Sequence, residues 1–145
     1  MTWGKFIVGA WGVVLSLSLM TSALPASWWF EPGAVRVSDA RRGACAGMDF
    51  DREINRPFFG KWKVTVMRKS SGGGWYTFRI FPGENDYRPD NSLPEDLDLC
   101  WWIWEDSIDL PPGEYRINTL WRIFPTAGGV REVRRTSNTF TISGG

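Results

Sequence analysis

The sequence predicts an all-β domain, an antiparallel sandwich of about seven strands that follows one N-terminal hydrophobic helix. From Gly33 onward, short runs that alternate apolar and polar residues are separated by Gly, Pro, Asn and Asp, as in antiparallel strands. Before them, nineteen residues without a charge run from Phe6 to Leu24. We therefore expect residues 1–30 to form a targeting segment and residues 31–145 to form a β-sandwich domain.

The uncharged segment, residues 6–24, has two interpretations, and both export the domain. It is long enough to cross a bilayer as a transmembrane helix. It also has the basic start at Lys5, the apolar core and the small residues near Ala23 that characterise a cleavable signal peptide. Tryptophans at both ends, Trp3 and the pair Trp28 and Trp29, are typical of membrane interfaces and favour a retained anchor. We expect a membrane-anchored protein with an exported C-terminal domain, or a secreted protein if the segment is cleaved.

The strands follow from side-chain alternation. In Lys61–Arg68, Trp62, Val64 and Val66 share one face, and Ser70–Gly74 is a flexible hairpin connection to the next strand. The other segments predicted as strands are Ala34–Val37, Trp75–Phe81, Leu97–Trp104, Glu114–Phe124, Val130–Arg135 and Thr139–Ser143.

Three of these regions carry more specific predictions. Leu97–Trp104 is apolar on both faces, which favours a central strand. The segment from Pro82 to Pro94 is polar and contains proline, which indicates a loop. The basic run Arg131–Arg135 alternates with valines, so we expect its charges on the exposed face of an edge strand, where they prevent edge-to-edge pairing.

The segment Leu110–Trp121, which reads LPPGEYRINTLW, resembles the corner before a late strand in immunoglobulin-like and fibronectin type III-like sandwiches. A turn with Pro and Gly precedes a tyrosine there, and Tyr115 takes that place. The strand count agrees with such a sandwich. Cys45 and Cys100 depart from the antibody-domain pattern, because the second cysteine precedes the strand that bears Tyr115. We expect an immunoglobulin-like sandwich that is not an antibody domain.

Five short segments of the exported part are REINRPFFGKWKVTV at Arg52–Val66, YRP at Tyr87–Pro89, LDLCWW at Leu97–Trp102, LPPGEY at Leu110–Tyr115 and SNTFTI at Ser137–Ile142. Through them the exported part resembles a loose group of uncharacterised small membrane-anchored proteins of alphaproteobacteria and their phages. The resemblance implies a phage or prophage source and a bacterial inner-membrane location with the domain on the periplasmic side, and it implies no activity.

The composition argues against most catalytic chemistry and against the binding of nucleic acid. The chain has no histidine, so the commonest general base and transition-metal ligand is missing. Seventeen Lys and Arg balance sixteen Asp and Glu, which leaves no net field to attract nucleic acid. Six acidic residues cluster in one loop region: Glu84, Asp86, Asp90, Glu95, Asp96 and Asp98. Their spacing matches no calcium site. A solvated loop explains them better than a carboxylate pair for glycoside hydrolysis does. We expect no enzyme, no metal and no cofactor.

Two cysteines in an exported domain, Cys45 and Cys100, predict one disulfide, with a buried free Cys100 as the alternative. The tryptophans divide by position. Those that alternate with apolar residues belong to the core: Trp62, Trp102 and Trp121. Three others are candidate binding residues: Trp75, Trp101 and Trp104. A row of them on one sheet face would stack on sugars or on a protein partner. The alternative is that they are simply packed inside the domain, which is more common for tryptophans in strands.

These observations predict a non-enzymatic, membrane-anchored β-sandwich module of the cell envelope that mediates protein–protein interaction. The alternative is a secreted module that binds carbohydrate, such as cell-wall glycan.

Overall fold

The computed structural model describes Trp11, Val13 and residues 23–144. Within these residues the chain forms ten strands and one short α-helix, so the all-β prediction is confirmed. The predicted span, residues 6–24, lies almost entirely outside the described residues. In the described part of the chain, no helix has the length and apolar character needed to cross a membrane.

The strands are short at the N-terminal end of the domain and long in its middle. A single 3-10 turn, Ala26–Trp28, precedes them. In chain order they are β1 (Phe30–Pro32), β2 (Arg36–Val37), β3 (Ala40–Arg41), β4 (Met48–Asp49), β5 (Arg52–Ile54), β6 (Phe58–Lys69), β7 (Trp75–Tyr87), β8 (Gly113–Phe124), β9 (Arg131–Thr136) and β10 (Phe140–Ser143), with the helix α1 (Leu99–Trp102) between β7 and β8.

Six of the strands form one main sheet. Five of them follow the order β3-β10-β8-β6-β7. The sixth, β9, pairs with residues 118–123 of β8, which follow the stretch of β8 that pairs with β10. Neighbours in this sheet are antiparallel except β3 and β10, which run parallel. The remaining strands form two ribbons, β1 with β5 and β2 with β4. The strand count exceeds the expected seven because β1, β3, β4 and β5, of two or three residues each, have too little alternation to be recognised.

The alternation of β6 and β8 produces the main core. Trp62, Val64 and Val66 are buried on one face of β6, as predicted, and Trp62 lies opposite Trp121 of β8. The ribbons and α1 cover this face. Phe50 links the two layers, because its ring stacks on Trp121 at 5.9 Å and meets Trp102 edge-on at 4.8 Å.

The predicted hairpin Ser70–Gly74 is confirmed, since it joins β6 to β7. The predicted loop from Pro82 to Pro94 is wrong in its first part, because β7 continues to Tyr87. Pro82 lies opposite Lys63 in the ladder. Among the described strands, β7 pairs only with β6, and an edge strand tolerates a residue without a backbone N–H.

The predicted central strand Leu97–Trp104 is also wrong, because the segment contains the helix α1. A short run that is apolar on both faces does not distinguish a buried strand from a buried helix. The deciding residue is Asp98, whose side chain accepts a hydrogen bond from the backbone N–H of Trp101 at 2.9 Å and so caps the helix.

The predicted disulfide is present, and Tyr115 makes a local hydrogen bond. Cys45 and Cys100 form a disulfide that joins the loop before β4 to α1. Tyr115 is fully buried, and its hydroxyl donates to the carbonyl oxygen of Pro111 at 2.5 Å, the hydrogen bond expected of a corner tyrosine.

The two ends of the described domain meet at β9. β9 is an edge strand as predicted, but its basic residues lie on both faces. Arg131 donates to the carbonyl oxygen of Leu24, and Arg135 donates to that of Pro32. Trp29, expected at a membrane interface, is instead buried in the core. The packed domain thus begins directly after the uncharged segment.

Candidate functional site: a tryptophan cleft

A cleft of about 380 Å³ opens between the main sheet and α1. We call it the tryptophan cleft, because five indole rings line it: Trp62, Trp101, Trp102, Trp104 and Trp121. The rest of the lining is mostly polar and comes from β5, β6, β7, β8 and the loop after β7: Arg52, Val64, Asn85, Asp86, Tyr87, Asn91, Ser92 and Thr119. An apolar wall with a few polar groups is the usual composition of a ligand site.

The helix α1, which carries two of these rings and directly precedes a third, is fixed on several sides. The disulfide ties Cys100 to Cys45, and the N–H of Leu99 donates to the carbonyl oxygen of Ala46 at 2.8 Å. On the sheet side, the indole N–H of Trp102 donates to the buried hydroxyl of Thr119 at 3.1 Å. Trp102 is therefore held inward, while Trp101 on the same helix remains 40% exposed.

Trp104 occupies a backbone position at the end of α1 that normally belongs to glycine. Its φ is 58°, the one positive value of a non-glycine residue in the described part of the chain. The N–H of Glu105 donates to the carbonyl oxygen of Cys100, and that of Trp104 donates to Trp101, which is the Schellman pattern with Trp104 at its left-handed residue. A side chain there costs about 1–2 kcal/mol.

The ring of Trp104 is nevertheless the most exposed of those in the cleft, with 63% of its surface accessible. It meets Trp62 edge-on, at 6.0 Å between ring centroids and an angle of 78°. Strained backbone that holds a large exposed ring over a cleft is a feature of functional sites.

Trp62 forms part of the wall because its strand partner has no side chain. It lies opposite Gly83 of β7, and a Cβ on Gly83 would stand 2.1 Å from Cζ2 of Trp62. Gly60 plays a similar role for Tyr87, since a Cβ there would stand 2.8 Å from the Tyr87 ring. Two glycines thus let aromatic rings lie against the sheet beside the cleft.

Arg52, which is half-buried, and Tyr87, which is buried, add two more polar groups to the lining. The Arg52 guanidinium lies 5.6 Å from the Tyr87 ring centroid. Its Nε is buried without a hydrogen-bond partner, and no ion pair joins Arg52 to a carboxylate of the described residues. Burial lowers the pKa of Arg52. Burial also raises the pKa of Tyr87 to about 12, against the opposing effects of the Arg52 charge and a hydrogen bond with Trp121.

The loop after β7 adds amide and hydroxyl groups. The N–H of Arg88 donates to Oδ1 of Asn91 at 2.9 Å, which fixes the loop. Asn85 lies opposite Gly60 in the ladder, and Asp86 lies opposite Phe59. Because strand side chains alternate, Asp86 projects from the face of the sheet away from Asn85 and Tyr87.

The structure separates the three predicted binding tryptophans. Trp101 lies on α1 and Trp104 just after it, and both line the cleft. Trp75 lies opposite Lys69, next to the turn of the β6–β7 hairpin and outside the cleft lining. The Arg116 guanidinium lies 4.4 Å from the Trp75 ring centroid. A platform of the three on one sheet face is therefore wrong, because the segment that carries Trp101 and Trp104 is helical.

The core prediction for Trp62, Trp102 and Trp121 is confirmed, since all three are buried, yet the same rings form the inner wall of the cleft. Sequence reasoning missed Arg52 and Tyr87, which had no distinctive spacing.

The acidic residues of the β7–α1 region do not gather into a ligand set of their own. In residues 23–144 one cluster combines three potential metal ligands, namely Cys45, Asp98 and Cys100. Its two sulfur atoms are bonded to each other. Asp98 is instead used to cap α1.

Comparisons of the chain with protein-family models, with curated proteins and with solved structures find no match.

Proposed function

We propose that this protein is a non-enzymatic glycan-binding module of the bacterial envelope, which holds a saccharide in the tryptophan cleft. The observation that carries the proposal is the pair of exposed indoles, Trp101 and Trp104, at a cleft whose polar lining includes amides, hydroxyls and a guanidinium. Sugar rings present apolar C–H faces and polar hydroxyl edges. Indole faces suit the former, and the polar groups suit the latter.

The size and rigidity of the cleft also support ligand binding. Its volume of about 380 Å³ lies within the range of small-molecule sites, about 300–1,000 Å³. The cap at Asp98, the disulfide at Cys100 and the hydrogen bond of Trp102 fix the walls before a ligand arrives. A preformed site loses less conformational entropy on binding.

The scaffold is an immunoglobulin-like sandwich in this proposal. The strand order β10-β8-β6-β7 corresponds to an immunoglobulin G-F-C sheet extended by one edge strand, and the corner tyrosine Tyr115 lies on β8, the equivalent of strand F. The two ribbons and α1 then take the place of the opposite sheet. The disulfide from the region before β4 to α1 supports an oxidising compartment.

The location follows from the N-terminal segment and the resemblance described above. A domain that packs directly after residues 6–24 would stay close to the bilayer if the segment is an anchor, and would diffuse freely if it is a cleaved signal peptide. We place the domain on the periplasmic side of an inner membrane and assign the gene to a phage or prophage.

Binding to insoluble cell-wall glycan tests the proposal. The protein should sediment with the glycan, and Trp101→Ala together with Trp104→Ala should abolish sedimentation while leaving the unfolding temperature within a few degrees. Trp75→Ala is the matched control, because it removes a tryptophan outside the cleft. Equal sedimentation of all three proteins would exclude the cleft as the glycan site.

A second candidate, protein–protein interaction, is favoured by the free edge of β7. This strand has thirteen residues and one partner, and Tyr76 and Ile80 on it are exposed. An extended segment of another protein can add to such an edge. Ile80→Lys should abolish capture of an envelope partner while glycan binding is unchanged. Capture that persists would exclude this edge.

A further inference from the structure

The binding of a neutral sugar does not explain why a partly buried cation, Arg52, lines the tryptophan cleft. Its guanidinium is desolvated on one side, and its Nε is buried without a hydrogen-bond partner. A partly buried cation without an anionic partner is costly, and proteins normally pair it. Arg52 also lines the cleft, and no carboxylate of the described residues pairs with it, so an anion that enters the cleft would supply the missing counter-charge.

The charge balance of the lining supports the same conclusion. Arg52 and Asp86 are the charged residues among those that line the cleft. Asp86 belongs to the opposite face of β7 by strand alternation, since it pairs with Phe59 and not with the buried-face residues of β6. Tyr87, which the guanidinium faces, stays neutral at physiological pH because its pKa is raised to about 12. Arg52 is therefore the cation of the cleft lining, and no carboxylate of the described residues forms an ion pair with it.

We propose that the tryptophan cleft selects an acidic saccharide, one whose sugar rings stack on Trp101 and Trp104 while its carboxylate accepts hydrogen bonds from Arg52. This inference rests on the proposed glycan-binding function and names the class of glycan. The planar guanidinium matches a carboxylate with two parallel N–H donors, which a single ammonium group cannot do. An aromatic cage for a quaternary ammonium group is disfavoured, because Arg52 would repel that cation.

Matched pairs of oligosaccharides test the inference. Each pair contains an acidic tetrasaccharide, built from glucuronate, galacturonate or a lactyl-ether amino sugar, and its neutral methyl ester. Titration calorimetry with the full-length protein in detergent, or with the processed protein if residues 6–24 are removed, gives the dissociation constants. At least one acid should bind about 10- to 100-fold more tightly than its ester, the factor expected for a charge-assisted hydrogen bond.

Three variants assign the preference to the guanidinium. Arg52→Gln should abolish the preference, so that the ratio of the dissociation constants for ester and acid falls to about one. Arg52→Lys, which keeps the charge without the planar fork, should recover only part of the preference. Arg36→Gln, at an exposed position of β2, should behave as the wild type. Unfolding curves of all variants show whether Arg52→Gln retains the fold.

The outcomes separate the two proposals. Equal binding of acid and ester by the wild type would overturn acid selection and leave glycan binding in place. A preference that survives Arg52→Gln in a folded protein would overturn the role of Arg52. Failure of the wild type to bind either member of any pair, together with failure to sediment with glycan, would overturn both.

Discussion

The ring of Trp62 lies against Gly83 on the neighbouring strand so closely that even a methyl group at Gly83 would stand 2.1 Å from Cζ2 and 2.4 Å from Cε2 of the indole. The two residues are direct partners in the β6–β7 ladder. Trp62 in turn meets Trp104 edge-on, so one glycine sets the position of two rings of the tryptophan cleft.

Replacement of Gly83 by alanine should therefore displace Trp62 and damage the cleft. We expect Gly83→Ala to lower the free energy of unfolding by about 1–3 kcal/mol, the usual cost of overpacking, and to weaken glycan binding. Gly129→Ala is the control, because a Cβ there would meet no atom within 4 Å. Denaturant unfolding and calorimetric titration give both quantities. A Gly83→Ala protein with wild-type stability and affinity would show that Trp62 can move freely.

Trp104 should contribute to binding and little to stability. Trp104→Gly relieves about 1–2 kcal/mol of left-handed strain and loses an aromatic pair of about 0.5–1.5 kcal/mol. The free energy of unfolding should then stay within about 1 kcal/mol of the wild type, while glycan affinity falls about tenfold or more, as for an aromatic anchor.

A matched pair of variants, Trp104→Ala and Trp104→Gly, measures the cost of the left-handed backbone at this position. Trp104→Ala also removes the ring but keeps a Cβ at the position whose φ is 58°. It should be less stable than Trp104→Gly by about 1 kcal/mol. Equal stability of the two variants would mean that Trp104 does not adopt the left-handed conformation in solution.

The disulfide should be a major source of stability. It closes a loop of 55 residues, and the chain-entropy relation gives about 4 kcal/mol for a loop of this size. We expect a reducing agent to lower the midpoint of urea unfolding of the wild type, and the Cys45→Ala/Cys100→Ala variant to unfold at that lower midpoint in both buffers. A wild-type midpoint that does not respond to reductant would contradict this expectation.

Tyr87 should make the protein less stable in alkali. Its pKa is raised to about 12 in the folded state, from 10.0, chiefly by burial. Between these two values the unfolded chain loses the proton first, so stability is complete below pH 10 and falls as the pH rises toward 12. Two pKa units correspond to about 3 kcal/mol. Tyr87→Phe should flatten this decline.

The measurement is the free energy of unfolding from pH 9 to 12 for the wild type and Tyr87→Phe. Some decline should remain in the variant, since burial also raises the pKa of Tyr115. Identical slopes for the two proteins would show that the Tyr87 hydroxyl is accessible to solvent.

The long strands could be predicted because their own alternation determines their faces. β6 and β8 bury every second residue over most of their length, and their apolar residues were placed correctly. The helix α1 could not be predicted from periodicity, because LCWW is apolar throughout. The residue that favours the helix, Asp98, also reads as an ordinary loop aspartate in sequence.

The cleft could not be predicted from the sequence, for a different reason. Arg52, Asn85 and Trp101 come from three separate segments, and only the packing of β5, β7 and α1 brings them together. The number of tryptophans makes Trp101 and Trp104 candidate binding residues, and both line the cleft, but the sequence gives no basis for separating them from Trp75. Gly83 gives no sign of a close approach by a ring, because the sequence predicts a loop from Pro82 to Pro94 and a loop glycine needs no such explanation.

The most direct test of the account is an NMR titration of the indole N–H signals with the oligosaccharide that binds most tightly in calorimetry. Binding in the tryptophan cleft predicts that the signals of Trp62, Trp101 and Trp104 shift with saturation, and that those of Trp28 and Trp75 stay in place. Shifts confined to Trp28 or Trp75, or no shift of any indole signal at saturating ligand, would contradict it.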